Sequence, residues 1–156
     1  MIEVNVPGWG RLRLVHLMLD VNGTIAVDGR LVDGVAGRLV RLRERLQVHL
    51  LTADTQGRQA ELDAQLGLRA TRIARGQEQA QKAARVQELG AEEVCYVGNG
   101  ANDAEAMRAA ALGIAVMGEE GLALETLQAA DVLVPSITAA LDLLLRPARL
   151  VATLRR

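Results

Sequence analysis

The sequence of 156 residues has the length of one domain, which we expect to span residues 1–156 and to bury roughly 70% of the surface that the unfolded chain exposes. Half of the residues are apolar, but Phe is absent and Trp and Tyr occur once each, so the core must be built from Leu, Val, Ala and Ile, as is typical of helices packed on a parallel sheet. The 18 basic and 19 acidic residues give a net charge of −1 without a basic track, which argues against nucleic acid as a partner.

The N-terminal segment alternates apolar and polar residues, and it predicts two strands. They run over Ile2–Val6 and Arg11–Leu19 and are joined by the turn PGWG at positions 7–10, whose Pro and Gly suit a tight turn. The sequence therefore predicts an N-terminal β-hairpin whose second strand continues into the core.

The rest of the chain alternates predicted helices and strands. The helices are expected near Val35–Leu46, Gln56–Leu66, Glu78–Leu89, Asn102–Ala111, Leu122–Ala129 and from Ile137 onwards. The strands are expected at Val48–Thr52, Leu68–Ile73, Glu93–Gly98, Ile114–Met117 and Asp131–Val134. This alternation implies right-handed crossovers and a three-layer α/β/α fold around a parallel sheet. Glycine falls at predicted helix ends, where a left-handed cap or sharp turn favours it, at Gly34, Gly67, Gly90 and Gly113.

Two further features of the sequence indicate the cellular compartment that we expect. The N-terminal sequence has neither the basic flank nor the apolar run of a signal peptide, and no apolar stretch approaches the roughly 20 residues that span a bilayer. We therefore expect a soluble cytoplasmic protein with no membrane partner. The single cysteine, Cys95, excludes an internal disulfide, and its apolar neighbours predict a buried thiol.

Three predicted strands end in polar residues. Ligands of a parallel sheet bind beyond the carboxyl ends of its strands. The segments LMLDVNGT, VHLLTADT and CYVGNGAND each change there from apolar to polar side chains. We expect the functional residues in these three segments.

Asp20 and Thr52 are the first candidates. Asp20 follows an apolar run, and Gly23 shortly after it lets the backbone turn so that its amides can face an anion. Thr52 ends the next strand with a hydroxyl donor. Each residue alone is also typical of a turn or helix cap, but together they would flank one phosphoryl group.

Lys82 and the segment GNGAND complete the constellation. Lys82 is the chain's only lysine and suits a phosphoryl oxygen beside a carboxylate, although a solvated surface lysine is the alternative interpretation. The segment GNGAND places Asn99, Asn102 and Asp103 in a glycine-rich loop before a helix. Oxygen side chains in such a loop could hold magnesium.

In combination, DVNGT, the Thr of LLTADT, Lys82 and GNGANDAEAM resemble, in the same order, the four motifs of the haloacid dehalogenase superfamily. The resemblance extends from about Leu14 to Leu145. Its second half, with GIAVMG and AADVLV, is similar to the phosphorylation domain of P-type ATPases, so the chain resembles the small soluble P-type ATPase-like proteins. The implied fold is a Rossmann-like α/β/α domain with an N-terminal hairpin and no cap domain.

The resemblance implies a covalent mechanism with Mg²⁺ as the cofactor. Asp20 would attack phosphorus while Thr52 and Lys82 hold the transferring oxygens. The implied residues are Asp20, Asn22, Thr52 and Lys82 for catalysis, Gly23, Thr24 and Asn102 for substrate binding, and Asp20, the Asn22 carbonyl, Asn99 and Asp103 for the metal.

Two amides depart from the pattern of the family's phosphatases. Asn22 stands where those enzymes carry a second aspartate, and an amide cannot shuttle the proton that general acid–base catalysis needs, a contribution of about 10²–10⁴-fold. Asn99 stands where another aspartate is expected and removes one negative charge from the metal site. We therefore expect slow hydrolysis of the phosphoenzyme and weak metal binding.

These features leave two functions open. One is a phosphohydrolase or phosphotransferase with weak turnover on small phosphorylated molecules, and the other is a phosphate-binding or regulatory module that has lost useful catalysis. P-type ATPases insert a nucleotide-binding domain where this chain has only 27 residues, between Thr24 and Thr52, so we do not expect adenine recognition.

Three ring-bearing side chains lie outside this constellation. Trp9 on the hairpin turn either forms a contact in a homo-oligomer or packs locally. His16 and His49 lie within predicted strands, and we expect both to be packed, neutral side chains.

Overall fold

The computed structural model describes residues 1–53 and 57–156, and its centre is a six-stranded parallel sheet. The strands are β1 Ile2–Val6, β2 Gly10–Leu14, β3 His16–Asp20, β4 Ala26–Val27, β5 Arg30–Leu31, β6 Gln47–Thr52, β7 Thr71–Arg72, β8 Val94–Gly98, β9 Leu112–Val116 and β10 Val132–Val134. The helices are α1 Val35–Arg43, α2 Gln59–Leu66, α3 Glu78–Glu88, α4 Ala104–Ala109, α5 Leu124–Ala129, α6 Ile137–Leu145 and α7 Pro147–Leu154. The predicted α/β class, the parallel sheet and the separate N-terminal hairpin are confirmed. Among the helices described, none is long and apolar enough to cross a membrane.

The central position of β3 decides where the site forms. The strand order is β10-β9-β8-β3-β6-β7, and β3 pairs in parallel with β6 on one side and β8 on the other. The last four residues of β3, Leu17–Asp20, are all buried, as expected for a strand of a parallel sheet that is covered on both faces. The carboxyl ends of β3, β6 and β8 therefore meet at one edge, as the three polar strand ends predicted.

The single strand predicted over Arg11–Leu19 is wrong. β2 pairs with β1 in a separate two-stranded sheet, and the chain passes at Val15 into β3 of the main sheet. The Val15 amide donates to the Glu93 carbonyl at 2.9 Å, and its carbonyl accepts from the Gln47 amide at 2.9 Å. Alternation could not locate this break, because both strands keep the same period of two residues.

A second hairpin, formed by β4 and β5, was not predicted. Its turn has positive φ angles at Asp28 (49°) and Gly29 (73°), as a type I′ turn requires. An Asp-Gly pair between short apolar segments is a strong hairpin signal, so the sequence contained the information. The hairpin follows the Asp20 loop directly and lies beside the site.

Several predicted boundaries also need correction. The structure has Ala104–Ala109 in place of a helix over Asn102–Ala111, Thr71–Arg72 in place of a strand over Leu68–Ile73, and Gln59–Leu66 in place of a helix from Gln56, which lies outside the described residues. Helix α4 begins later than predicted because residues 101–103 form a 3-10 turn instead. Gly113 is not a helix cap but lies inside β9, where a Cβ would come within 2.8 Å of the Met107 side chain.

The side chains outside the constellation are packed locally. Trp9 is partly buried against the core, and the Arg156 guanidinium lies 5.4 Å from its ring centroid. Cys95 is fully buried, as predicted. His16 Nδ1 lies 3.1 Å from His49 Nε2, and burial, with the charges of His16 and Arg85, lowers the pKa of His49 to about 4, so His49 is neutral as predicted.

Candidate active site

The candidate site lies where β3, β6 and β8 end. Five of the predicted residues line one cavity of about 250 Å³, namely Asp20, Asn22, Lys82, Asn99 and Asn102. The others, Gly23, Thr24, Thr52 and Asp103, are not among the side chains that line this cavity. The structure thus brings the four motif segments together. Some of their residues line the cavity, and the others lie behind its wall.

Lys82 is the buried cation of the site. It extends from α3 and is only 2% exposed, which excludes the alternative of a solvated surface lysine. Its ammonium donates to Oδ1 of Asp20 at 2.8 Å, of Asn102 at 2.8 Å and of Asp103 at 2.6 Å, so all three of its donors are used. Burial acts to lower the pKa of Lys82, but the charges of Asp20 and Asp103 outweigh it and the pKa is raised. Lys82 therefore remains a cation.

Asp103 is completely buried and fully hydrogen-bonded. Its Oδ1 accepts from Lys82 and from the Tyr96 hydroxyl at 2.6 Å. Its Oδ2 accepts from the backbone amides of Asn99 at 3.0 Å and Gly100 at 2.9 Å. Four donors occupy both carboxylate oxygens, so the predicted role of Asp103 as a direct metal ligand does not fit the structure. Asp103 instead holds Lys82 and shapes the loop after β8.

Tyr96 is a residue of the site that the sequence analysis missed. It lies in β8, is fully buried and gives its hydroxyl proton to Asp103. Burial, with the charges of Asp103 and Asp20, raises its pKa far above the ordinary value, so it stays a donor. The sequence contained one indication of this role, because Tyr96 is the chain's only tyrosine and lies in an apolar strand.

Asp20 is the carboxylate at the end of β3, and it lines the cavity. It is 7% exposed, with Oδ1 bound to Lys82 and Oδ2 facing the Thr24 hydroxyl at 3.4 Å. Burial and the charge of Asp103 raise the pKa of Asp20 to about 7, although Lys82 acts to lower it. A further positive charge at its free side would lower that pKa and keep the carboxylate ionised at neutral pH.

Two amides of the loop after Asp20 donate to carbonyls within residues 21–26. The Gly23 amide donates to the Ala26 carbonyl at 2.7 Å and the Thr24 amide to the Val21 carbonyl at 3.2 Å. Gly23 has a φ of 81°, so the backbone turns here as expected, and the expectation that amides of this loop face an anion stays a prediction. The Thr24 hydroxyl is buried between Asp20 and Asn99, 3.1 Å from Asn99 Oδ1, and Thr24 also lines a neighbouring cavity, so its predicted role in substrate binding stays a prediction.

The two amide side chains that replace expected aspartates are both engaged. Asn22 donates through Nδ2 to the hydroxyl of Thr52 at 3.2 Å, and Thr52 is only 1% exposed. Asn99 accepts from Thr24 and donates through Nδ2 to the Gly121 carbonyl at 3.2 Å. Both amides orient neighbouring groups, and neither can transfer a proton as a carboxyl group does.

The donor set fits a hard divalent cation. Asp20 Oδ2, the Asn22 carbonyl and Asn99 Oδ1 are oxygen donors near one wall of the cavity, and magnesium prefers such ligands. Within residues 1–53 and 57–156 there is no group of three or more His, Cys, Asp and Glu side chains that could hold a metal by themselves. A cation here would therefore depend on fewer than three such side chains, together with neutral oxygens and water.

The comparisons with known proteins agree with this geometry. The sequence model of haloacid dehalogenase-like hydrolases matches residues 1–111. An uncharacterized protein of Methanocaldococcus jannaschii is 51% identical over 39 residues, which are 25% of this chain and 89% of that protein.

Several solved structures share the fold, and two of them are informative here. The 3-deoxy-D-manno-octulosonate 8-phosphate phosphatase of Moraxella catarrhalis, in complex with magnesium, phosphate and a KDO molecule, superimposes with a TM-score of 0.64 at 18% identity and covers 91% of this chain and 94% of that chain. A zinc-transporting PIB-type ATPase in the E2.Pi state gives a TM-score of 0.61 at 29% identity and covers 79% of this chain but 20% of that chain. The described residues of the present chain form no cap domain.

Proposed function

We propose that this chain, which belongs to the haloacid dehalogenase-like hydrolase family, is a magnesium-dependent phosphohydrolase or phosphotransferase that forms an aspartyl-phosphate on Asp20. The observation that carries the proposal is the contact between the Lys82 ammonium and Asp20 Oδ1 at 2.8 Å, at the wall of a cavity beyond the sheet edge. A nucleophilic carboxylate held beside a buried cation is suited to receive a phosphoryl group.

The chain's own residues supply the phosphoryl-transfer step. An Asp20 carboxylate oxygen forms the new bond to phosphorus, and the bond between phosphorus and the leaving oxygen breaks, with its electron pair leaving on that oxygen. Lys82 and Asn102 lie together on the cavity wall, where the charge of Lys82 would attract the phosphoryl oxygens and the Asn102 side-chain NH₂ group could donate to them. When bound, magnesium would neutralise charge on the phosphoryl group, with Asp20, the Asn22 carbonyl and Asn99 as protein ligands.

Asn22 makes dephosphorylation the slow step. Hydrolysis of the aspartyl-phosphate requires a group that takes a proton from water, and an amide cannot do this. Asn22 is instead held by its hydrogen bond to Thr52 at 3.2 Å, so it can position a water molecule without activating it. We expect phosphoenzyme to accumulate with good donors such as acyl phosphates.

The substrate class is a small phosphorylated molecule. Residues 1–53 and 57–156 form no cap over the site, and a second cavity of about 290 Å³ is lined in part by Gly23 and Thr24, which follow Asn22 in the chain. Val27, Val32 and Met117 give that cavity an apolar wall, which suits the body of a leaving group. The Moraxella phosphatase, with its magnesium, phosphate and sugar ligands, supports the same class of chemistry by similarity of fold.

The second candidate is a phosphate-binding or regulatory module, and the engaged amides of Asn22 and Asn99 favour it. The test is the intact mass of protein incubated with acetyl phosphate and magnesium, followed by turnover measurements on phosphorylated metabolites. We expect one phosphoryl group on the wild type and none on Asp20→Asn. Labelling of the mutant at the wild-type level would contradict the nucleophile, whereas labelling without turnover would favour the regulatory module.

A further inference from the structure

The tight turn Gly118–Gly121, which follows β9, brings a carboxylate to the candidate site. The Gly121 amide donates to the Gly118 carbonyl at 3.0 Å, and Gly121 has a φ of 81°. This closure puts Glu119 and Glu120 at the two central positions of the turn. The two glutamates then face different surroundings: Glu120 lines the cavity of Asp20, and Glu119 lines the neighbouring cavities.

Asn99 fixes this turn against the site. Its side chain donates to the Gly121 carbonyl at 3.2 Å, and its own carbonyl accepts from the Ala123 amide at 2.9 Å. A Cβ on Gly118 would lie 3.2 Å from the Gly23 carbonyl, so the turn also packs closely on the Asp20 loop. The position of Glu120 is therefore set by the fold and not by a free loop.

The Glu120 carboxylate lies over Gly23 and beside Asn99. A Cβ added to Gly23 would collide with Glu120 Oε2 and would lie 3.0 Å from both polar side-chain atoms of Asn99. Glu120 and Asn99 thus flank the same face of Gly23. This is the side of the cavity where Asp20 Oδ2 and the Thr24 hydroxyl also meet.

The negative charge of Glu120 beside the candidate phosphate site needs an explanation. A carboxylate at the mouth of a phosphate site repels the phosphate unless a cation lies between them. Glu78 also lines the cavity, but it accepts a hydrogen bond from the Gly76 amide at 2.9 Å and so has a structural role at the start of α3. Residues 1–53 and 57–156 offer Glu120 neither a hydrogen-bond donor nor an ion-pair partner.

From this geometry we infer that Glu120 is a ligand of the divalent cation and supplies the negative charge that Asn99 lacks. The inference rests on the proposed function and extends it to a residue outside the four motifs. Magnesium binds oxygen ligands at about 2.1 Å, and the exposed Glu120 side chain can rotate about its own bonds to reach an ion held by Asp20 and Asn99. Glu120 would bind it either directly or through a water molecule.

The experiment measures the binding of Mn²⁺ alone, by electron paramagnetic resonance of the free ion, and of Mg²⁺ by calorimetry. We expect Glu120→Gln to raise the dissociation constant by about tenfold or more and Glu119→Gln, in the same turn, to leave it unchanged. The double variant Asn99→Asp with Glu120→Gln should recover the affinity, because the charge returns at the neighbouring position. Circular dichroism of each variant verifies the fold.

Three results would overturn the inference: wild-type affinity in Glu120→Gln, an equal loss in Glu119→Gln, or no recovery in the double variant. Because the readout is metal binding without a phosphate donor, a failure of this inference can be distinguished from a failure of the proposed function. Loss of affinity in Glu120→Gln together with absent phosphoenzyme in the wild type would refute only the proposed function. Phosphoenzyme formation with unchanged affinity in Glu120→Gln would refute only the role of Glu120.

Discussion

Lys82 joins two buried carboxylates, those of Asp20 and Asp103, at distances of 2.8 Å and 2.6 Å. The lysine is 62 positions from Asp20 and 21 from Asp103, so only the packing of α3 against the sheet edge brings the three groups together. The Lys82 cation compensates the negative charges of Asp20 and Asp103, which would otherwise repel each other. Both carboxylates are buried. The stability of the fold and the chemistry of the site therefore depend on the same residue.

Lys82→Met should destabilise the protein strongly and abolish phosphorylation of Asp20. Removing one partner of a buried ion pair leaves an uncompensated charge, which typically costs about 3–5 kcal/mol. The measurement is the free energy of unfolding in urea. Adding Asp103→Asn should restore part of the stability without restoring phosphorylation, since one stranded charge is gone. Unfolding of Lys82→Met at the wild-type urea concentration would show that the ion pairs do not hold the fold.

Tyr96→Phe should lower stability by about 1.5–3 kcal/mol, because it removes one hydrogen bond to a buried charged acceptor. The phenyl ring keeps the packing of β8, so the loss of stability comes from the hydroxyl group alone. With one donor fewer, Asp103 holds Lys82 less firmly, and the yield of phosphoenzyme at a fixed time should fall. Urea unfolding and intact mass measure the two effects. If both match the wild type, the Tyr96 hydroxyl has no role in the network.

Asn22→Asp should accelerate hydrolysis of a phosphomonoester with a poor leaving group. The new carboxyl can protonate the leaving oxygen and then activate water, and the Thr52 hydroxyl can donate to it in place of accepting. For an acyl phosphate the gain should be smaller, and steady-state phosphoenzyme should fall, because only dephosphorylation improves. Phosphate release and intact mass measure both quantities.

Fresh protein is required for this comparison. Asn22 and Asn99 each precede glycine, a context in which asparagine deamidates spontaneously, so aged wild type could imitate the variant. The intact mass of each preparation controls for this. If fresh Asn22→Asp is no faster than wild type on the monoester, the regulatory module becomes the better interpretation.

His49→Gln should reduce the pH dependence of stability between about pH 4 and pH 6.5. Burial and the charges of His16 and Arg85 lower the pKa of His49 from 6.5 to about 4, so the unfolded chain binds the proton more readily in this range. The contribution of neutral His49 is therefore present above pH 6.5 and is lost as the pH falls towards 4.

Asp20 acts in the opposite direction over the whole of this range, because its raised pKa of about 7 makes the folded state the better proton acceptor. The informative quantity is thus the difference between wild type and His49→Gln in urea unfolding at several pH values. Parallel curves for the two proteins would show that His49 is not buried as a neutral side chain.

The sequence alone determined the architecture and the location of the site. Alternating strands and helices predict a parallel sheet, and the rule that ligands bind beyond the carboxyl ends of strands needs only the positions where apolar runs become polar. Asp20, Thr52 and Asn99 could be selected in this way, and Lys82 was selected as the chain's only lysine. Such signals are local in the chain, so they do not require knowledge of which groups pack against one another.

Only the tertiary structure decided which of the selected residues have donors or acceptors left for a ligand. Asp103 and Gly23 stand at positions that suggest contact with a metal or an anion, but Tyr96, Lys82 and backbone groups already occupy their donors and acceptors. Conversely, Glu120 belongs to no motif and reaches the cavity because a turn after β9 packs on Asn99. A buried polar group must find a partner, and the partner it finds depends on packing between segments distant in the chain.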